Sequence, residues 1–251
     1  HNDINDNNII VSSNYLKPKI KAIIDFGDTI RTQTINDLAV TCTYSIMNCE
    51  NPLSASLDVI KGYNESYRLT EKELYHLYTL IGMRLVISLT KSRINKLKFK
   101  ENKYLLISEK PALKLINKWY KINENLAYYF FRNSCGFKAH PNEMKFKKWV
   151  KTKKLSLAKM FPLISKNQIF KIDLSVESNW VKLFKNFQNL QLFENTINHV
   201  QHHNKNKIIG GGYLEDRQLY NTKNYQRISN DGIEKRTIHL GIDFWIKEGN
   251  K

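Results

Sequence analysis

The chain has 251 residues and is 41% hydrophobic, which is enough for one large or two small folded cores and excludes a purely disordered chain. Its 40 Lys and Arg against 23 Asp and Glu give a formal net charge of +17, which favours an anionic partner. Lysine also recurs with Asn and Ile along the whole chain, so a solvated lysine-rich surface is the simpler explanation. The three scattered cysteines exclude a disulfide framework, and no apolar run is long enough to span a bilayer, so we expect a soluble cytoplasmic protein.

Two short β-branched runs near the start of the chain predict a β-hairpin. They are IIV at 9–11 and IKAII at 20–24, and the segment SSNYLKPK between them is rich in turn-forming residues. From Thr34 the apolar residues recur at helical spacing, with a break at Asn51-Pro52 and a capping box at Thr70–Glu73. These signals predict five helices, at Thr34–Ile46, Leu53–Tyr67, Thr70 to about Leu89, Glu109–Lys118 and Glu124–Arg132.

After Cys135-Gly136 the composition changes and lysine becomes more frequent. Three glycines at 210–212 permit a tight turn and indicate the start of a further piece. We therefore predict three segments: 1–137, a lysine-rich connecting region at 138–207, and a truncated module at 208–251. The predicted fold class is α+β, in which a β-hairpin and a helical bundle are followed by the start of a β-rich module.

The segments on either side of the predicted hairpin contain candidate catalytic residues. HNDINDNN places His1, Asp3 and Asn8 at the spacing of a kinase catalytic loop, and IIDFG ends the second strand with Asp25. A hairpin brings these two segments to the same end, where Asp3 could act as a base and Asn8 and Asp25 could bind Mg²⁺. The alternative is a solvated loop, since Asn and Asp are common in turns and a lone DFG is frequent by chance.

HNDINDNNIIV followed by IKAIIDFGDTIRTQTINDLAV resembles the carboxyl-terminal lobe of the aminoglycoside phosphotransferase superfamily, which has a protein-kinase-like fold. Further segments, among them YLLISEKPALKLI and YYFFRNSCGF, resemble its hydroxylysine-kinase-like branch, so that the resemblance covers roughly residues 1–137. It implies ATP or GTP as phosphate donor and a small hydroxylated amine as acceptor. It also implies that Asp3 is the catalytic base and that Asn8 and Asp25 are Mg²⁺ ligands.

One departure from the family pattern leaves the acceptor open, because the loop usually carries Gly, Asp or His where Asn5 and Asp6 stand here. A kinase of this type also needs an amino-terminal lobe with a phosphate-covering loop and a strand lysine. We therefore expect the chain to begin inside the enzyme, and we expect this fragment by itself to be inactive.

A second candidate site lies in RTIHLGIDFWIKEG, where His239 and Asp243 have a spacing usable by zinc. This stretch resembles the start of the lysostaphin-like peptidase fold, in which a later His-x-His completes the zinc site. The order of the two modules resembles multidomain class III aminotransferase proteins, which implies pyridoxal phosphate only in a missing downstream module. The alternative for His239 and Asp243 is a structural strand start in a degenerate peptidase module.

The sequence thus predicts an ATP- or GTP-dependent small-molecule kinase within a larger multidomain protein. The alternative is a basic nucleic-acid-binding protein that uses residues 91–160. That alternative needs lysines on one face with exposed aromatic residues between them, and KSRINKLKFKENK shows no such order. We therefore expect neither nucleic acid nor a membrane as a partner. Three further histidines, His199, His202 and His203, are expected on a polar helix end rather than in a metal site.

Overall fold

The structure, a computed structural model, describes residues 1–98, 108–153, 164–180, 189–229 and 232–246. The chain divides into two compact units, His1–Cys135 and Gly136–Lys251. The first unit thus ends close to residue 137, where the first predicted segment ends. In the ranges given, no helix combines the length and the apolar character that a membrane span requires.

The first unit opens with the predicted β-hairpin. Strand β1 (Ile9–Val11) pairs antiparallel with β2 (Ile20–Ile23), with Ile9 opposite Ile23, and the register shifts between Ile10 and Val11. Asn14 forms the turn between them, because its side-chain oxygen accepts hydrogen bonds from the backbone N–H groups of the residues two and three positions further on. The hairpin therefore brings the residues before β1 and those after β2 to one end.

The described part of the first unit then folds into the five predicted helices. Caps set their starts: Asn51 accepts from the backbone N–H of Ser54, and Thr70 and Glu73 form the predicted capping box. The third helix is longer than predicted, because helix-forming polar residues continue it to Lys98 after the apolar pattern ends near Leu89. The helices are α1 (Thr34–Ser45), α2 (Pro52–Ser66), α3 (Glu71–Lys98), α4 (Glu109–Trp119) and α5 (Glu124–Ser134).

The core of this unit lies between the apolar faces of these helices. Trp119 of α4 is buried, donates its indole N–H to the backbone oxygen of Tyr78 at 3.1 Å and stacks on the Tyr78 ring. Helices α1 and α3 meet where Thr43 Oγ1 lies 3.5 Å from the backbone oxygen of Ile81. The fully buried side chains of this core include Leu38, Leu74, Leu77, Ile81, Leu85, Leu126 and Phe131. This packing fixes α1 and α3 beneath the loop that precedes β1.

The second unit combines helices with short strands. Helix α6 (Glu143–Thr152) was not predicted: Phe146, Trp149 and Val150 do have helical spacing, but the segment is short and lysine-rich, and none of its residues is buried. Helix α7 (Leu190–His203) carries His199, His202 and His203 at its end, as predicted. The strands are β3 (Ile169–Lys171), β4 (Ile208–Gly210), β5 (Glu215–Asp216), β6 (Gln226–Ser229), β7 (Gly232–Lys235), β8 (Ile238–His239) and β9 (Phe244–Trp245).

Strand pairing joins the predicted connecting region at 138–207 to the predicted module at 208–251. Strand β4 pairs parallel with β3, from the predicted connecting region, and antiparallel with β9. The pairs β5–β8 and β6–β7 are antiparallel. None of the glycines at 210–212 has a positive φ, since Gly136 is the glycine with positive φ among the described residues. Gly212 instead allows close approach, because a Cβ there would collide with the carboxylate of Glu215.

Candidate active site

Asparagine side chains close the loop at residues 1–8 around Asp3. Oδ2 of Asp3 accepts hydrogen bonds from the side-chain amides of Asn5 at 3.1 Å and Asn8 at 3.2 Å. Asn8 also donates to the backbone oxygen of Asp3 at 2.8 Å. The side-chain oxygen of Asn5 caps the short 3-10 turn Asp6–Asn8 by accepting from the backbone N–H of Asn7. The loop therefore holds the Asp3 carboxylate in one orientation.

Asn8 presents an amide oxygen that is suited to a metal ion. The residue is buried, and its side-chain nitrogen is committed to Asp3. Within the described ranges, no donor reaches its side-chain oxygen. Mg²⁺ accepts neutral amide oxygens as ligands. Because the amide nitrogen of Asn8 is used by Asp3, the amide oxygen is left available for a metal ion.

Asp25 has an unusual backbone conformation directly after β2. Its φ of 62° and ψ of 69° lie in the left-handed region, which is uncommon for residues other than glycine. Residues in such conformations concentrate at functional sites, because the surrounding structure must hold them there. The side chain is exposed and does not cap the 3-10 turn Phe26–Asp28 that follows. Its carboxylate is therefore available for a ligand.

Backbone pairing holds the two candidate metal ligands close in the fold. The backbone N–H of Ile24 donates to the backbone oxygen of Asn8 at 3.0 Å, which extends the β1–β2 pairing by one step. Asp25 follows Ile24 directly, and Asp3 is bound to Asn8 by hydrogen bonds. The structure thus brings Asp3, Asn8 and Asp25 to the same end of the hairpin.

Two further residues contact the loop and were not found from the sequence. Arg84 of α3 donates to Oδ1 of Asp3 at 2.9 Å, and Asp37 of α1 accepts from the backbone N–H of Asn2 at 3.1 Å. A signal for Arg84 exists, since it is a charged residue inside the apolar helical run LIGMRLVISL and must find a partner there. Asp37 gives no such signal, because acidic residues are common in the first turn of a helix.

In the second unit, His239 and Asp243 lie together, as their spacing predicts. His239 Nε2 is 3.3 Å from Asp243 Oδ2 without hydrogen-bond geometry, and His239 Nδ1 contacts the hydroxyl of Tyr220. Arg217 forms an ion pair with the same carboxylate, with Nη1 2.5 Å from Asp243 Oδ2. Its Nη2 lies 2.7 Å from Glu215 Oε2. The pair is therefore part of a polar cluster that already contains its own cation.

Burial and neighbouring charges shift the pKa values of Arg217 and His239 in this cluster. Burial opposes the charged form of Arg217, but hydrogen bonds and ion pairs with Asp243 and Glu215 outweigh it and raise the pKa of Arg217. Burial and the nearby Arg217 charge lower the pKa of His239. Zinc needs three or four ligands, and no group of three His, Cys, Asp or Glu in the described part of the chain could hold a metal. His239 and Asp243 alone therefore do not make a zinc site, and zinc binding there stays a prediction.

The hairpin and the helical bundle make this a mixed α+β chain that is compatible with the carboxyl-terminal lobe of a kinase-like fold. Over about half its length it is similar to hydroxylysine kinases. It is 30% identical to the Danio rerio protein over 127 residues, which cover 50% of this chain and 36% of the relative. For the Xenopus laevis protein the identity is 32% over 121 residues, 45% of this chain and 32% of the relative. For the Mus musculus protein the identity is 26% over 130 residues, which cover 49% of this chain and 35% of the relative.

The chain thus spans about a third of the length of the curated relatives it matches. No protein-family profile matches the chain, and no solved structure matches it.

Proposed function

We propose that the first part of this chain, residues 1–137, is the carboxyl-terminal lobe of a small-molecule kinase. The kinase transfers the γ-phosphoryl group of ATP or GTP to a hydroxyl group of an amino alcohol or another hydroxylated amine. The observation that carries this proposal is the arrangement of Asp3, Asn8 and Asp25 at one end of the β1–β2 hairpin. The similarity to hydroxylysine kinases over about half of the chain supports the same substrate class.

In this proposal Asp3 is the general base. Phosphoryl transfer depends on positioning and on charge stabilisation more than on covalent help from the protein. Three side-chain hydrogen bonds hold the Asp3 carboxylate, from Asn5, Asn8 and Arg84, so that it can orient the acceptor hydroxyl. As the acceptor oxygen bonds to phosphorus, Asp3 takes up the hydroxyl proton, and the nucleoside diphosphate leaves with the electron pair of the broken bond.

Asn8 and Asp25 would hold Mg²⁺ on the nucleotide phosphates. Both residues offer hard oxygen ligands, and the amide oxygen of Asn8 is left available because its nitrogen binds Asp3. When bound, Mg²⁺ neutralises charge on the phosphate oxygens. The single carboxylate of Asp25 is then the charged protein ligand, which makes it the residue that should most affect metal affinity.

The proposal includes a larger protein around this chain. We propose residues 1–137 as the kinase lobe, which requires an amino-terminal lobe, and residues 208–251 as part of a peptidase-like module. The aminotransferase context, with pyridoxal phosphate in a further module, and zinc at His239 and Asp243 also stay predictions. Since an amino-terminal lobe would supply much of the charge stabilisation, residues 1–137 without it should not turn over.

The test is a phosphate-transfer assay on the purified full-length protein. Labelled ATP and GTP are offered with hydroxylysine, with other amino alcohols and with matched amines that lack the hydroxyl group. We expect transfer to the hydroxylated amines only, and we expect EDTA to abolish it and added Mg²⁺ to restore it. Transfer to none of these acceptors in the presence of Mg²⁺ would contradict the proposed function.

A further inference from the structure

An ion pair connects the candidate base to the helical core. Arg84 Nη2 lies 2.9 Å from Asp3 Oδ1, although the two residues are 81 positions apart in the sequence. Their side chains are 15% and 26% exposed, so the pair is largely shielded from water. Water and salt screen such a pair less than one on the open surface, where an ion pair contributes little to stability.

Arg84 is itself held in place by α1. The same Nη2 donates to the hydroxyl of Tyr44 at 3.0 Å, and the guanidinium lies over the Tyr44 ring, 5.3 Å from its centroid. Arg84 follows the fully buried Ile81 on α3 and precedes the fully buried Leu85, so the packed core fixes the backbone that carries it. Its Nε is buried and has no hydrogen-bond partner among the described residues. The contacts through Nη2 therefore set the position of the guanidinium.

The hydrogen bonds to the Asp3 carboxylate leave little freedom. An ionised carboxylate offers about four acceptor positions on its two oxygens. Oδ1 accepts from Arg84, and Oδ2 accepts from Asn5 and Asn8. Roughly one position remains for a substrate hydroxyl. Without Arg84, Oδ1 loses its donor from the core, and the carboxylate is held by loop side chains alone.

We propose that Arg84 is a positioning residue that fixes the carboxylate of Asp3 for proton uptake from the acceptor hydroxyl. This inference rests on the proposed function, since it assigns a role in the same reaction. Arg84 touches neither acceptor nor nucleotide in this role and acts through Asp3. Tyr44 supports it by orienting the guanidinium.

The test compares Arg84→Met in the full-length enzyme with Arg93→Met, which removes an exposed arginine from the same helix. We expect Arg84→Met to lower kcat about 10- to 100-fold, the range of one charge-assisted hydrogen bond, while the KM for nucleotide changes less than about twofold. Arg84→Lys should recover only part of the loss, because an ammonium group cannot lie over the Tyr44 ring as the planar guanidinium does. Arg93→Met should retain the wild-type kcat.

A double-mutant cycle separates positioning from a merely structural role. If Arg84 acts through Asp3, Arg84→Met should lower turnover little further in an Asp3→Asn background. Should Arg84→Met fold poorly, Tyr44→Phe provides the second variant, with a smaller loss of kcat expected. An unchanged kcat in Arg84→Met, or an equal loss in both backgrounds, overturns the role of Arg84 while the function stands. A wild-type enzyme that transfers no phosphate overturns both.

Discussion

The imidazole of His1 connects the loop that carries Asp3 to the end of β2, since its Nε2 lies 2.8 Å from the backbone oxygen of Ile24. Its other nitrogen, Nδ1, accepts from the backbone N–H of Asp3 at 3.3 Å. A neutral imidazole with its proton on Nε2 makes both bonds at once. The ring also packs against Phe26, with centroids 4.7 Å apart. His1 thus fixes the spacing between the candidate base and the candidate metal ligand Asp25.

Replacing His1 by Phe should disturb this connection without removing the ring. We expect His1→Phe in the full-length protein to lower turnover about tenfold, which corresponds to roughly 1.4 kcal/mol of transition-state stabilisation. The control is His76→Phe, at an exposed position on α3. Steady-state kinetics at saturating nucleotide measure the effect, and equal turnover in the two variants would show that His1 does not matter for the arrangement.

Asp25→Asn should weaken the metal site. The substitution keeps the size of the side chain but removes the charge that a divalent cation requires, so we expect the Mg²⁺ concentration for half-maximal activity to rise about tenfold or more. Asp28→Asn serves as the control, because Asp28 lies in the next turn and is also exposed. A Mg²⁺ titration of turnover in both variants measures the shift. The same Mg²⁺ dependence in Asp25→Asn and Asp28→Asn would remove Asp25 from the metal site.

Asp216 of β5 is a buried carboxyl group whose Oδ2 has no hydrogen-bond partner in the described part of the structure. Burial raises its pKa from 3.8 to about 7, and the nearby carboxylates of Glu177, Glu143 and Asp173 contribute in the same direction. The folded state therefore binds this proton more tightly than the unfolded state. The contribution of Asp216 to stability is fully present below about pH 4, is lost as the pH rises towards about 7, and is absent above that pH.

Asp216→Asn should remove this dependence, because the amide is neutral at every pH. We expect the free energy of unfolding of the variant to exceed that of the wild type by an amount that grows between pH 4 and pH 7, to roughly 4 kcal/mol at most. Urea unfolding followed by tryptophan fluorescence at several pH values measures the difference. Glu194→Gln, at an exposed site on α7, should follow the wild type. If the free energy of unfolding of the wild type and of Asp216→Asn changed with pH in parallel, the raised pKa of Asp216 would be contradicted.

The sequence predicts much of the first unit, because its signals are local. The hairpin follows from two β-branched runs around turn-forming residues, and the five helices follow from apolar spacing and from caps such as Thr70 with Glu73. Contacts between distant elements have no such local signal. The bond between Arg84 and Asp3 depends on how α1 and α3 pack, and the parallel pairing of β3 with β4 joins segments almost 40 residues apart.

The second unit was predicted less well for the same physical reason. Helix α6 is short and lysine-rich, and its apolar set Phe146, Trp149 and Val150 spans little more than one turn, so periodicity was a weak signal there. The role of Gly212 depends on the approach of Glu215, and the ion pair between Arg217 and Asp243 depends on the closure of the strands around it. The alternative function, a nucleic-acid surface within residues 91–160, stays a prediction, and its residues 99–107 and 154–160 lie outside those that the structure describes.

The most direct test of the account is the turnover of Asp3→Asn in the full-length protein. The amide keeps the size of the side chain but cannot take up the acceptor proton, so we expect kcat to fall about hundredfold or more. The affinity for nucleotide should change far less, because Asn8 and Asp25 would hold it through Mg²⁺. Asp6→Asn, at an exposed position of the same loop, should retain the wild-type kcat. A near-normal kcat in Asp3→Asn would contradict the assignment of Asp3 as the base.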